Sequence, residues 1–434
     1  TFIKFKLDRN IKILKKDIAF WFNDGEIKNK NEHTIKENID KVEELITTSV
    51  KQQLVADVPV GVLLSGGVDS SLISTIASKV SNKKINTFTI GFHDKKYDES
   101  SNAQKVARHL NTNHENYFLN EKDALDMIDD IPSAFSEPFA DSSQIPQLLI
   151  SKQVRKKVNV VLSGDGGDEL FGGYNRYIYI QLLWNIFFNL PKQLRNPIFK
   201  LLKMNSEKNW DFINTYFLKY IYSGKISFLG NKVHKFSSAA LNSNNPLDLY
   251  NNINSIWEEP NLITNNIQKL NLDQSIYNKN QSIIENFMQL DLNEYLPDDI
   301  LCKVDRASMF YSLESRAPFL NLDILNYVKT ISIDQKIKKN NGKILLKKIL
   351  EKYLPVEIMN SPKQGFSVPL ADWIRGSLKE IIFDNLSKKN IIEDGNFKYS
   401  SIKKIIDEHM MNKYNHEKKI WCLFNYFFWK NNIN

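Results

Sequence analysis

The chain has 434 residues, 42% hydrophobic and 25% charged, a globular composition with enough length for two or three cores. Its two cysteines, Cys302 and Cys422, exclude a disulfide framework or a cysteine zinc site, and a reducing cytoplasm is the expected setting. The net charge of +8 is not a nucleic-acid signature, because only eight of the 58 basic residues are Arg and the lysines are scattered along the chain.

The longest apolar stretches, Ile178–Leu190 and Ile420–Trp429, are too short or too interrupted to span a bilayer. No signal-peptide pattern is expected ahead of the first domain. In residues 1–24, Ile3, Phe5 and Leu7 alternate with Lys4 and Lys6. A turn at Asp8-Arg9-Asn10 leads to Ile11, Ile13 and Leu14, which predicts a β-hairpin. A lone hairpin is rarely stable in water, so this one is expected to complete a sheet outside the sequence. Asn23-Asp24-Gly25 ends it, and a charged linker runs to about Glu32. Thr34 then caps a predicted helix with apolar positions Ile35, Ile39, Val42, Leu45, Ile46, Val50 and Leu54.

Val60 to Leu64 is an apolar run of the kind a buried parallel strand needs. Ser65, Gly66 and Gly67 break it, and Ser70, Ser71, Leu72, Ile73, Ile76 and Ala77 resume with helical spacing. Further strands are predicted at Ile85–Phe92, His114–Leu119 and Val158–Leu162. Helices are predicted at Ala103–Leu110, from about Glu121, and at Gln144–Val154. Strands alternating with helices at this pace predict a doubly wound α/β fold with a parallel sheet, spanning residues 55–178. Ligands of such sheets bind beyond the carboxyl ends of the strands, where Ser65, Gly91 and Ser163 fall. From about Tyr179 the strands are expected to stop, leaving a mainly helical part over 179–434. Breaks are predicted at Pro297, Pro318 and Pro355. The aromatic cluster Ile420 to Trp429 reads as core, as does Cys302.

Two stretches carry chemistry. A strand entering Ser65-Gly-Gly-Val-Asp-Ser-Ser71 and then a helix aims backbone N–H groups and a positive helix end at one point, which favours an anion. Asp69 repels a bare phosphate but suits one bridged by magnesium. Neither a Walker A lysine nor a G-x-G-x-x-G spacing is present. The second stretch, Ser163-Gly-Asp-Gly-Gly-Asp-Glu-Leu-Phe-Gly-Gly-Tyr174, again runs from a buried strand into glycines and acids. One magnesium between Asp69 and Asp168 accounts for two of those acids.

The first loop resembles the pyrophosphate loop of the ATP pyrophosphatases. The two loops together also resemble the synthetase domain of the glutamine-hydrolysing asparagine synthetases. So do Glu137-Pro-Phe-Ala-Asp-Ser-Ser143, Tyr295-Leu-Pro-Asp-Asp-Ile300, Lys303-Val-Asp-Arg-Ala-Ser-Met309, Glu314-Ser-Arg-Ala-Pro-Phe-Leu320 and Pro362-Lys-Gln-Gly-Phe366. The likeness covers roughly residues 33–430, and residues 1–24 resemble the closing strands of that family's N-terminal glutaminase domain. The resemblance implies an ATP- and Mg2+-dependent ligase. A carboxylate, aspartate in the namesake enzymes, attacks the α-phosphate, pyrophosphate leaves, and ammonia displaces AMP.

ATP would be held by Leu64, Ser65, Gly66, Gly67, Asp69, Ser70, Ser71, Ile90, Gly91, Ser163 and Gly164. Magnesium would be held by Asp69 and Asp168, and the acceptor by Asp141, Ser142 and Glu169. Lys363 and Asp165 would be catalytic, with Lys363 set against the α-phosphate.

The sequence departs from the family in carrying Asp165 where Glu is usual, Ser361 where Arg is usual and Asn321 where Asp is usual. These departures leave the reaction type intact and the acceptor open, with sugar acids of surface polysaccharides as the alternative. The family's nucleophilic cysteine stands first in its chain. Thr1 stands first here, so the glutaminase is expected in a preceding segment or on another chain. A regulatory protein retaining only the nucleotide fold is the rival outside enzymes, and the presence of Asp69, Asp168 and Lys363 speaks against it. A homodimer is compatible with the pattern, and neither nucleic acid nor membrane is expected as a partner.

Overall fold

The computed structural model of the chain describes residues 30–92, 98–184, 190–216, 229–264, 266, 276–338, 341–359 and 368–432, together with the backbone of 2–7 and 13–19. Strands β1 (Phe2–Leu7) and β2 (Ile13–Ala19) pair antiparallel, with Phe2 opposite Ala19 and Leu7 opposite Ile13, as the alternation predicts. The turn residues between them lie outside the described residues.

Helix α1 (Ile35–Gln53) starts at the predicted cap. The Glu37 N–H donates to the Thr34 hydroxyl at 3.3 Å, and the Thr34 N–H donates to the Glu37 carboxylate at 2.7 Å. This reciprocal box satisfies two N–H groups that the helix cannot pair itself. Then follow β3 (Val60–Leu63), α2 (Val68–Val80), β4 (Asn86–Phe92), α3 (Ser100–His109), β5 (Asn113–Leu119), α4 (Glu121–Ile128), α5 (Gln144–Val154), β6 (Val160–Leu162) and α6 (Gly167–Phe171).

The sheet is parallel throughout, in the order β5-β4-β3-β6-β7. Its fifth strand, β7 (Glu314–Arg316), corrects the expectation that strands end near Tyr179. It returns to pair with β6, Val160 opposite Glu314 and Leu162 opposite Arg316. Three polar residues on a sheet edge carry no apolar run, so periodicity could not find them.

The chain lays β4 and β5 outward from β3 on one side, then places β6 on the other. The boundary between β3 and β6 is therefore the topological switch point, where a crevice opens at the carboxyl ends.

Beyond the sheet come α7 (Ile283–Leu290), α8 (Cys302–Phe310), α9 (Ile344–Leu350) and α10 (Glu417–Asn432). Both faces of the sheet are covered. Phe88, Ile90 and Val161 join a core with α5 and with Trp421, Phe424 and Phe427 of α10. Val62, Leu64 and Leu162 join a second core with α1, α2, α3 and α9. The aromatic cluster of the last helix is thus core, as read from the sequence. Trp421 and Phe424 are fully buried, and truncating such an aromatic costs about 3–5 kcal/mol.

A third cluster, including Tyr177, Tyr250 and Phe287, organises the helices after the sheet. At its centre the Arg176 guanidinium meets the Asp291 carboxylate at 2.6 Å, and Tyr250 donates to Asp291 at 2.7 Å. Arg176 also lies against the rings of Tyr174 and Tyr295, 4.3 and 4.9 Å from their centres.

Pro297 does not break its helix, contrary to expectation. Residues Asp291–Leu301 form a π-helix that runs on from α7 into α8. The wider π turn relieves the clash between the proline ring and the carbonyl a turn earlier.

Candidate active site

The two glycine loops meet at the switch point. The first is pinned from below, because the Leu64 N–H donates to the Phe88 carbonyl at 2.8 Å and Thr89 donates its hydroxyl proton to the Leu64 carbonyl. Inside the loop the Ser65 N–H donates to the Ser70 hydroxyl at 3.1 Å, and the Gly67 N–H to the Ser65 hydroxyl at 3.3 Å. Gly67 caps α2 and no side chain caps its first turn, so that turn offers its N–H groups to an anion. Ser71 is buried in the helix beneath. Ile90 and Gly91 lie on β4 beside the loop, and the N–H groups of Phe92 and Ser100 donate to Asp98 at 3.2 and 3.1 Å.

The second loop leaves β6 at Ser163, whose N–H donates to the Arg316 carbonyl at 2.8 Å. The short edge strand β7 thereby fixes the loop's origin. Gly164 and Gly167 pack directly on the first loop. A Cβ on Gly164 would come within 2.9 Å of the Asp69 Cβ, and one on Gly167 within 2.7 Å of an Asp69 carboxylate oxygen. Larger residues there would push the loops apart.

The structure brings Asp69 and Asp168 together around a residue that the sequence reading did not single out. The Lys343 ammonium lies 2.7 Å from an Asp168 oxygen and is hydrogen-bonded to Asp69. Burial alone would lower the Lys343 pKa, but the charges of Asp69 and Asp168 outweigh it and hold the pKa above the ordinary lysine value. A glycine followed by lysine and an apolar helix, Gly342-Lys343-Ile344, was the available signal. It does not stand out in so lysine-rich a chain.

Asp141 belongs to a second ionic group. The Lys303 ammonium donates to it at 2.5 Å, and Ser143 donates to it through its N–H at 2.9 Å and its hydroxyl at 2.6 Å. Asp299 sits beside Asp141, and burial together with the Asp141 charge pushes its pKa up to about 6. Ser142 precedes Ser143 at the start of α5. Lys303 lies in the stretch Lys303-Val-Asp-Arg-Ala-Ser-Met309, and its pairing with Asp141 arises from packing.

Asp165 accepts from the Ser163 hydroxyl at 2.7 Å, and burial raises its pKa. Beside it a cavity of about 730 Å³ is lined by Ser163, Asp165, Cys302, Asp305 and Arg306 among others. Cys302 is therefore a partly exposed wall of this cavity and not the core residue expected. A cysteine next to Ile300 and Leu301 reads as core from the sequence alone, and its place in the cavity wall is a matter of packing. Glu169 is buried and accepts from the Tyr174 hydroxyl at 2.5 Å, with burial pushing its pKa up to about 7. Lys363 lies outside the described residues.

The donor set fits magnesium of one kind. Among the described residues no group of three or more His, Cys, Asp and Glu side chains gathers to hold a metal. Two converging carboxylates, already sharing one cation, suit an ion that completes its shell with substrate phosphates and water.

Among curated proteins the chain is similar to asparagine synthetase (glutamine-hydrolyzing) 1 of Bacillus subtilis (strain 168), 28% identical over 399 residues, covering 90% of this chain and 59% of that protein. It is 40% identical over 161 residues to putative asparagine synthetase (glutamine-hydrolyzing) 2 of Methanocaldococcus jannaschii, over 37% of this chain and 31% of that one. Asparagine synthetase B (glutamine-hydrolyzing) of Escherichia coli (strain K12) is 32% identical over 191 residues, 38% and 34% of the two chains. The chain spans about three fifths of the length of the first of these relatives. The family model for asparagine synthase matches residues 41–430, so the chain, with its two glycine loops at the switch point of a parallel sheet, belongs to the asparagine synthase family.

Proposed function

We propose that the chain is the synthetase part of an amide-forming ligase that adenylates a carboxylate with ATP, releases pyrophosphate, and passes the acyl-adenylate to ammonia. The carboxylate is taken to be the side chain of L-aspartate, which gives asparagine and AMP. The observation that carries this reading is the meeting of two glycine loops at one crevice with Asp69 and Asp168 sharing a single cation. ATP lies along Leu64 to Ser71, Ile90, Gly91, Ser163 and Gly164, with its phosphates over the first turn of α2. When bound, magnesium neutralises the departing pyrophosphate. Asp69 and Asp168 orient that end of the nucleotide.

Nothing in this chemistry asks for a protein nucleophile. The chain's task is positioning and charge. Asp141 and Ser142 hold the acceptor. Asp165, whose pKa is raised by burial, stands ready to take a proton from the attacking ammonia. Lys363 is assigned the stabilisation of the charge that builds on the α-phosphate. The hairpin β1–β2 closes a glutaminase-type domain that supplies ammonia from glutamine, and residues 33–434 form the synthetase.

The cavity beside Asp165, about 730 Å³, is roomy for aspartate. It favours, as a second reading, a larger carboxylate such as a sugar acid. ATP–pyrophosphate exchange decides between them, run with ammonium chloride as nitrogen source and a panel of carboxylates with aspartate first. Exchange stimulated by aspartate supports the first reading, and stimulation only by uronic acids supports the second. Absence of exchange with every carboxylate sinks both.

A further inference from the structure

The Lys343 ammonium occupies the position between Asp69 and Asp168 that a metal shared by those carboxylates would take. This is a built contact. The three side chains are only 7%, 15% and 17% exposed. Lys343 adopts a left-handed backbone conformation, φ 56° and ψ 37°, which is strained for a side chain of this size. Its N–H donates to the Phe171 carbonyl at 3.0 Å, tying it to the end of α6. Two glycines make the approach feasible. A Cβ on Gly342 would run into the Gly172 carbonyl, and one on Gly173 would overlap both the Asp168 carboxylate and the Lys343 side chain.

We propose that Lys343 is a placeholder cation, which keeps a lone divalent ion off Asp69 and Asp168 and yields only when metal and nucleotide phosphates arrive together. The proposal rests on the reading of Asp69 and Asp168 as the metal pair. A bare divalent ion could enter only by leaving the buried Lys343 ammonium without a partner, and two cations there would repel each other. A metal carrying a triphosphate brings its own negative charge, so the displaced ammonium has phosphate oxygens to turn to. The device would order binding and keep a positive charge against two buried carboxylates between turnovers.

Manganese(II), followed by electron paramagnetic resonance on the whole chain, tests this. Wild type should take up Mn2+ tightly with α,β-methylene-ATP and poorly without it. Lys343→Met should bind Mn2+ without nucleotide roughly tenfold or more tightly than wild type, and Asp69→Asn in that background should abolish the gain. Lys343→Met binding no tighter than wild type overturns the placeholder while leaving the metal pair standing. Nucleotide-dependent Mn2+ binding that survives Asp69→Asn and Asp168→Asn overturns the metal reading, and the proposal with it.

Should Lys343→Met be too unstable to titrate, its melting temperature with and without Mn2+ gives the same decision. A rise in the variant that wild type does not show supports the proposal. No rise overturns it.

Discussion

Two buried lysines each pair with carboxylates in this molecule, and the two groups differ in how many acids the lysine touches. Lys343 touches both Asp69 and Asp168. Lys303 touches Asp141, and Asp299 is left beside a carboxylate with its pKa pushed up to about 6. One cation in contact with both acids sets its positive charge against the two of them at once. One cation in contact with a single acid leaves the second to hold a proton through mildly acidic pH. Residue types alone do not distinguish the groups. Contact does.

The largest effect is expected at the Lys343 group. Asp69→Asn is expected to lower ATP–pyrophosphate exchange roughly a thousandfold with the fold retained, since the metal's charge stabilisation is worth several kcal/mol. Exchange at a normal rate by the folded variant would remove Asp69 from the metal pair.

At the second group the expected effect is on stability. Lys303→Met leaves Asp141 and Asp299 facing one another and should cost about 3 kcal/mol in urea unfolding at neutral pH. Adding Asn at position 299 to that variant should recover most of the loss. Additive losses in this cycle would show that the two acids do not interact.

Proton uptake gives smaller effects. Glu169 has a folded pKa of about 7, above its ordinary value of 4.5. Its stabilising contribution is complete below about pH 4.5 and is lost as pH rises through 7. Glu169→Gln should flatten that decline and gain about 2 kcal/mol at pH 8. A variant whose stability falls with pH as steeply as wild type would assign the decline to another group. Asp299, raised from 3.8 to about 6, follows the same sign. Its contribution is complete below about pH 4 and lost through pH 6, so Asp299→Asn should be relatively stabilised above pH 6, by about 1 kcal/mol after screening. An unchanged pH–stability curve would mean that Asp299 titrates normally.

Much of this was legible in the chain itself. The apolar runs ending at Leu64 and Leu162, each followed by glycines and acids, specify a strand, a turn and an anion-seeking helix start through local chemistry alone. The capping box at Thr34 and Glu37 and the helix Gln144–Val154 are local in the same way. The hidden features join distant parts of the chain. Strand β7 is three polar residues that become a strand only because β6 offers a free edge. Pro297 stops a helix by local rules, and tertiary packing instead widens the helix around it.

What the sequence determined by itself was therefore the doubly wound sheet, the two loops and the kind of ligand they favour, because hydrophobic period and glycine placement act over a few residues. Which lysine among so many meets which carboxylate was decided only by tertiary structure. Lys343 reaches Asp69 across 274 positions and Lys303 reaches Asp141 across 162. Coulomb attraction depends on distance in space and on exclusion of water, and neither is written in the order of residues.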